Sequence, residues 1–404
     1  MVGVSPAIRV MPRRRWHAAV VVLLSLVGAL LVGGCAPRAE APSEPVPQAA
    51  SAPSAAPPAR GATQPSSAVP AGPLSPRVPV SVAVVEISPE AGFYIAQDRG
   101  YFAEEGLDVE FLTTRLPTGD RMAMLARGDL QFAGVSPDPS LFNVVARDVP
   151  VKIVALMSGN VGDYPYRTAA VVVRQDHLDS GRYRTPADLR GMTMASSARG
   201  GAADYLVERG IAPYGLTLAD LDFQAVQMQD APVALANKAV DAAWLVEPFI
   251  LGVESRGVAK PVLLTGEIAP GAAGLVMLAS PSFTRDQPEA TRRFLRAWLR
   301  GQRDYYRAVI AQEGGADAIY EILSRYTTIK DPTLFPRIGF NGADPNGDIP
   351  EDSLYDYQDA FLRYGTQQQR VDLSRVIDRS YLNQALGDLG RVDWQPAAPT
   401  GSAR

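Results

Sequence analysis

Between residues 91 and 111 the chain reads AGFYIAQDRGYFAEEGLDVEF, and no other stretch limits the possible fold as strongly. Ala91 to Arg99 are mostly good helix formers stopped by Gly100. A short aromatic turn runs to Gly106, after which Leu107, Val109 and Phe111 alternate with Asp108 and Glu110. Glycine reaches positive φ without a Cβ clash and so closes each run, while the period-two alternation is that of a half-buried strand. With the apolar run over 78–87 in front of it, the segment predicts a compact strand–helix–strand opening.

The same grammar continues along the chain. Strand-like runs over 80–87, 107–114, 130–135 and 151–158 alternate with helical ones over 91–99, about 120–126 and about 141–146. A second set follows, with strands over 168–174, 192–197, 223–228 and 241–246 and helices near 202–209 and 231–239; a further strand pair spans 261–264 and 274–279. Short apolar runs bounded by Gly, Pro and Asp suit parallel strands covered on both faces. After Pro281 the apolar residues fall at three-four spacing over 289–308, 316–325 and 353–365, which predicts packed helices. One internal echo points to two lobes. Leu125-Ala126 leads through a turn to a strand stopped by Pro137, and Leu235-Ala236 leads likewise to one stopped by Pro248.

The front of the chain is of another kind. Arg13, Arg14 and Arg15 precede an apolar run over 18–32 that ends in Gly33-Gly34-Cys35, the layout of a secretory signal and too short for a comfortable membrane span. Small residues before the chain's single cysteine resemble a bacterial lipobox, so residues 1–34 are expected to be a lipoprotein signal and Cys35 the lipidated residue. Residues 35–79 are dominated by Pro, Ala, Ser, Gly and Gln and are expected to form a disordered tether, as is the tail over 396–404. A single cysteine allows no disulfide within the monomer, so the core must stabilise the fold. Residues 1–34 hold four arginines and no acid. The remainder carries 35 basic and 43 acidic side chains, a formal charge of −8, and lacks any basic stripe, which argues against nucleic acid.

Catalytic and metal chemistry find little to work with. Of two histidines, His17 lies in the signal and His177 in a charged turn that reads as surface loop, with no nucleophile elbow nearby. The Asp344-Pro345-Asn346-Gly347-Asp348 cluster lacks the closing Glu of a calcium loop and reads as a turn. No enzyme, metal or cofactor is expected.

The phrase over 91–111, aromatic-Ile-Ala helix, Gly-Tyr-Phe, two acidic residues and Gly-Leu-Asp-Val, closely resembles the opening of the solute-binding proteins of ABC importers for nitrate, sulfonates, taurine and thiamine-pyrimidine precursors. Residues 241–248, where a strand ends in Trp244 and Glu247-Pro248, and residues 377–386 resemble that family too. The resemblance implies an α/β, two-lobed periplasmic-binding-protein type II fold with a ligand cleft between the lobes and C-terminal helices. It places lobe 1 at 80–167 plus 275–395 and lobe 2 at 168–274. Fungal relatives of this fold that make the thiamine pyrimidine need a cysteine cluster and an active histidine, and this chain has neither.

In open α/β sheets ligands lie beyond the carboxyl ends of strands. That rule nominates Glu86, Ser88, Phe93 and Tyr94 after the first strand, Ser136 and Asp138 after the third, and Ser158 and Asn160 after the fourth. From the second lobe it nominates Ser196, Ser197, Arg199 and Gly200, with Trp244 and Glu247. Tyr164 and Tyr166 at the lobe crossing either gate the cleft or pack. The loop over 196–201 reads either as a helix cap or as an anion site built from backbone N–H groups and a guanidinium. The resemblance implies capture of a small anion such as a sulfonate, nitrate or taurine for an ABC importer. The alternatives are a thiamine pyrimidine precursor or other flat heterocycle and, from another class, a ligand-sensing or structural surface lipoprotein. It implies a permease and its ATPase as partners, membrane attachment through Cys35, and a monomer.

Overall fold

The computed structural model describes residues 72–394 apart from 115, 117, 162–166, 197 and 340. Cys35, Tyr164, Tyr166 and Ser197 therefore lie outside the described residues, as do the signal and most of the tether. The described chain is attached to the fold before residue 80: the Leu74 N–H donates to the Glu105 carbonyl and Arg293 to that of Gly72.

Ten strands run in chain order as β1 (Val78–Val84), β2 (Leu107–Thr113), β3 (Phe132–Val135), β4 (Lys152–Gly159), β5 (Ala169–Arg174), β6 (Thr193–Ser196), β7 (Asp222–Ala225), β8 (Ala242–Val246), β9 (Ala259–Leu264) and β10 (Ala273–Ala279). They form two five-stranded sheets, ordered β2-β1-β3-β10-β4 and β7-β6-β8-β5-β9. β1, β2 and β3 are parallel, as are β6, β7 and β8, and the one strand antiparallel to its neighbours in each sheet is the one that has just crossed from the other, β10 or β5. The two orders are equivalent position by position. β3 and β8, the strands of the internal echo, hold the same central place in each sheet.

β1 stops at Val84, short of the run that extends to Ile87. Glu86 adopts φ of 60° and the Val85 N–H turns away from any strand partner to the Glu90 carboxylate, so the extended conformation ends there. The residues this frees, Glu86 and Ile87, form a loop above the sheet edge that leads into a single 3-10 turn, Ser88–Glu90.

Helices Ala91–Asp98 and Pro288–Tyr305 cover one face of the first sheet. They cross at glycines: a Cβ on Gly301 would stand 2.3 Å from the Gly92 carbonyl oxygen, and one on Gly92 would stand 2.6 Å from the Trp298 indole nitrogen. Phe294 of the longer helix stacks on Phe132 at 3.8 Å and on Phe102 at 4.9 Å between ring centres, and Trp298 is wholly buried. Its polar side is arginine-rich but paired, with Arg292, Arg293 and Arg296 bound to Glu289, Glu105 and Asp388.

Helix Glu351–Tyr364 packs on both lobes. Phe361 meets Phe142 of the first, while Tyr357 meets Tyr205 of the second at 4.6 Å and donates to the Ala273 carbonyl at the crossing. Arg363 and Tyr364 both bind Glu208. One apolar cluster consequently runs from Val135 and Phe142 through Tyr357 to Val171 and Leu206.

His177 is not a surface residue. It is 5% exposed, with Nε2 at 2.7 Å from Asp241 Oδ1, and the same carboxylate takes Arg174, Arg182 and the Thr193 hydroxyl and N–H. Burial excludes water from a charge that then needs several donors, and three elements of the second lobe supply them.

Gly301→Ala is expected to force the two helices apart and lower stability by roughly 1–3 kcal/mol, the usual cost of overpacking, read as a lower urea midpoint at unchanged slope.

Candidate functional site

The carboxyl ends of β1, β3 and β4 and the end of β8 face one another across a cavity of about 570 Å³. The first lobe lines it with Glu86, Ile87, Ser88 and Pro89, with Ser136, and with Ser158 to Asn160. The second brings Thr168, Ala169 and Val246 to Phe249. The remaining wall comes from the C-terminal half: Thr327 to Ile329 and Ile338, Gly339 and Asn341.

The wall segments are fastened to one another. The Thr328 N–H donates to the Glu86 carbonyl, Asn341 Nδ2 donates to Ser88 Oγ at 2.8 Å, and the Gly159 N–H donates to the Gly342 carbonyl. Asn160 sits where the chain leaves the first lobe. Its Nδ2 donates to the carbonyls of Thr265 at 3.0 Å and Ala269 at 2.9 Å, so its amide holds the two lobe crossings together.

Glu247 is the most unusual group in the wall. It is joined by a cis peptide to Pro248, the N-cap of the helix Phe249–Ser255, and its Oε2 accepts from the Leu251 N–H at 2.9 Å. Its Oε1 is buried and takes no hydrogen bond; Arg167 Nε stands 3.5 Å away without a hydrogen bond of its own. Burial pushes the Glu247 carboxyl above its ordinary range against the opposing pull of the Leu251 N–H and of Arg167. Arg167, behind it, is also paired with Glu254. Among the described residues the lining holds two carboxylates, Glu86 and Glu247, and no lysine or arginine.

Of the sequence-nominated residues, Glu86, Ser88, Ser136, Ser158, Asn160 and Glu247 come together here. The others do not. Phe93 and Tyr94 are buried in the first lobe, Phe93 against Phe111 and Phe294, Tyr94 stacked on Tyr326. Asp138 caps the helix Pro139–Ala146 through the Leu141 N–H and takes the Thr118 hydroxyl. Trp244 points from mid-strand into the core of the second lobe.

The 196–201 loop is a separate surface feature, and three of its donors, the Ser196 hydroxyl, Arg199 Nε and the Gly200 N–H, are already engaged. Asp204, in the first turn of the helix Ala202–Ile211, accepts from both the Gly200 N–H and Arg199 Nε at 2.7 Å. Arg199 lies flat over Phe223 at 3.4 Å, Ser196 donates to the Ala198 carbonyl, and Thr366 donates to that of Gly200. An incoming anion would compete with a carboxylate already in place.

Sequence reasoning did not nominate Thr168, Phe249, the 327–329 turn or the 338–341 loop. Phe249 had a signal, since it directly follows Glu247-Pro248. The C-terminal turns had none, being irregular stretches between helices.

A model of the family described as NMT1/THI5 like matches residues 89–308, more than half of the chain. The chain belongs to the NMT1/THI5-like family. Among curated relatives, the riboflavin-binding protein RibY of Chloroflexus aurantiacus is 25% identical over 285 residues, 70% of this chain and 73% of that protein. A formylaminopyrimidine-binding protein of Halalkalibacterium halodurans is 35% identical over 101 residues, 25% of this chain and 27% of that one. Among solved structures, the periplasmic nitrate-binding protein NrtA from Synechocystis PCC 6803 superposes with a TM-score of 0.62 at 17% identity, covering 78% of this chain and 89% of that one. The desulfurization enzyme DSZB gives 0.52 at 15%, covering 78% and 100%. The fold is that of the type II periplasmic binding proteins, and it carries both binding proteins and an enzyme. No described helix is long and apolar enough to cross a membrane.

Arg199→Ala should leave any ligand bound in the cleft with its affinity changed by less than about twofold. It should cost roughly 1–3 kcal/mol of stability in urea unfolding, because the buried Asp204 carboxylate loses one of its two donors, outside the cavity.

Proposed function

We propose that the chain is the extracytoplasmic solute-binding component of an ABC importer, and that its solute is a flat, largely apolar heterocycle bearing N–H donors rather than a small oxyanion. The observation that carries the ligand class is the buried Oε1 of Glu247, which takes no hydrogen bond and has only the Arg167 ion pair at 3.5 Å, in a cavity whose described lining holds two carboxylates and no cation. A buried acceptor left without a donor costs about 1–3 kcal/mol, which a ligand N–H would recover. An oxyanion there would meet like charge in a site with little water to screen it. The volume points the same way: about 570 Å³ lies within the roughly 300–1,000 Å³ usual for drug-sized ligands, and one nitrate would leave most of it unfilled. Ile87, Val246, Phe249, Leu275, Ile329 and Ile338 supply apolar walls for a ring.

Binding rather than catalysis is supported by the lining, which among the described residues holds hydroxyls, amides and carboxylates but neither histidine nor cysteine, while His177 is engaged by Asp241 elsewhere. The lobes close on the solute about the two crossings between the sheets, a lipid on Cys35 holds the protein at the membrane, and the loaded form docks on a permease served by an ATPase. The curated relatives named for riboflavin and for formylaminopyrimidine support the heterocycle; the solved nitrate-binding relative supports the fold.

Thermal unfolding of the purified chain with riboflavin, formylaminopyrimidine, nitrate or an alkanesulfonate tests this directly. A heterocycle at a hundredfold excess over its Kd should stabilise by about 2.7 kcal/mol and raise the midpoint, and the two anions should not. Stabilisation by nitrate or the sulfonate alone would reverse the ligand class. With the heterocycle that binds, Glu247→Gln should weaken affinity roughly tenfold or more in calorimetric titration while the ligand-free midpoint holds or rises.

A further inference from the structure

Beneath the cleft loop lies a carboxylate that does not touch the cavity. Glu90 is fully buried between β1 and the helix Ala91–Asp98. Its oxygens accept the Val85 N–H at 3.1 and 3.2 Å, the Ile87 N–H at 3.5 Å and the Tyr94 hydroxyl at 2.6 Å. Between the two backbone donors stands Glu86, in the left-handed conformation that a residue with a Cβ adopts only when its surroundings impose it. Glu86 and Ile87 are the residues that the loop presents to the cavity.

We propose that Glu90 is a positioning residue of the solute site: it holds the 85–87 loop from below in the shape that aims Glu86 into the cleft, and through its carboxyl it makes closure of that loop respond to protons. The ligand role of the loop rests on the binding function proposed above, whereas the coupling of Glu90 to the loop does not.

The surroundings of Glu90 fix the direction of the response. Tyr94 on its own helix and the two loop N–H groups favour the carboxylate, and so does Arg121 of the helix Thr118–Arg127, itself hydrogen-bonded to the Gly134 carbonyl and near Asp138. Glu86, across the loop, bears on Tyr94. Burial outweighs these and pushes the Glu90 carboxyl up to about 7 from an ordinary value of 4.5. A loop that lifts away lets water reach the carboxyl and returns it toward that ordinary value. Between about pH 4.5 and 7 the closed loop therefore keeps a proton that the open loop releases, so opening is favoured as pH rises.

Amide hydrogen exchange on the ligand-free full chain in detergent at pH 6 and pH 8 tests this apart from any ligand. After correction for the intrinsic rise in exchange, protection of the Val85 and Ile87 amides should fall about tenfold from pH 6 to pH 8, while Val276 to Leu278 of β10 serve as the unchanged control. Glu90→Gln should abolish that pH dependence. Glu90→Ala should lower loop protection at both pH values. Tyr94→Phe, which removes a donor that favours the carboxylate, should move the fall to higher pH; this variant and the wild-type profile decide the matter should Glu90→Ala fail to fold. A loop equally protected at both pH values in the wild type, a Glu90→Gln profile that still tracks pH, or a Tyr94→Phe profile that does not move would overturn the proposal.

Discussion

The close crossing of two helices at Gly92 and Gly301 sets the position of nearly everything at the cleft. A Cβ on Gly301 would stand 2.3 Å from the Gly92 carbonyl oxygen, so the helix Ala91–Asp98 is pressed onto the helix Pro288–Tyr305 more closely than any other residue there would permit. That contact fixes the start of the shorter helix, and the start fixes Glu90, whose carboxylate in turn holds the cleft loop. Trp298, buried against Gly92 on one side and Gly347 on the other, extends the same constraint toward the C-terminal loops. Small residues are needed on both sides because the aromatic cluster around Phe294, Phe132 and Phe102 leaves the helices no room to separate.

The alternation of strands and helices was legible because each short apolar run is bounded by glycine, proline or aspartate, and the ten strands observed lie within a few residues of the runs that predict them. The end of β1 was not legible. Val84 to Ile87 are all acceptable in a strand, and what stops it is the carboxylate of Glu90, five positions beyond Val85. Local pattern holds no trace of a side chain that reaches back from the next helix.

The site was readable only in part, for a geometric reason. Residues just past the strand ends, such as Glu86, Ser136 and Glu247, reach the sheet edge and hence the cavity. Trp244 is still inside its strand, so the pleat sends it to a face, and Phe93 and Tyr94 belong to a helix whose residues 91–96 are all buried. The 196–201 loop has the composition of an anion site, but Asp204 four residues beyond Gly200 supplies the anion internally. Proximity in sequence to a strand end locates a site; the direction of each side chain decides membership in it.

The helix Glu351–Tyr364 has a mechanical implication. Two crossings alone would leave the lobes free to swing as a clamshell, but this helix shares one apolar core with both, and Ser353 and Tyr357 hold the Ala273 peptide at the crossing itself. A change in the angle between the sheets must slide Tyr205 past Tyr357 and draw Glu208 away from Arg363 and Tyr364, all within close-packed surroundings. The back of the molecule thus acts as a stiff leaf spring rather than a free pivot, giving the gap between the lobes a rest width.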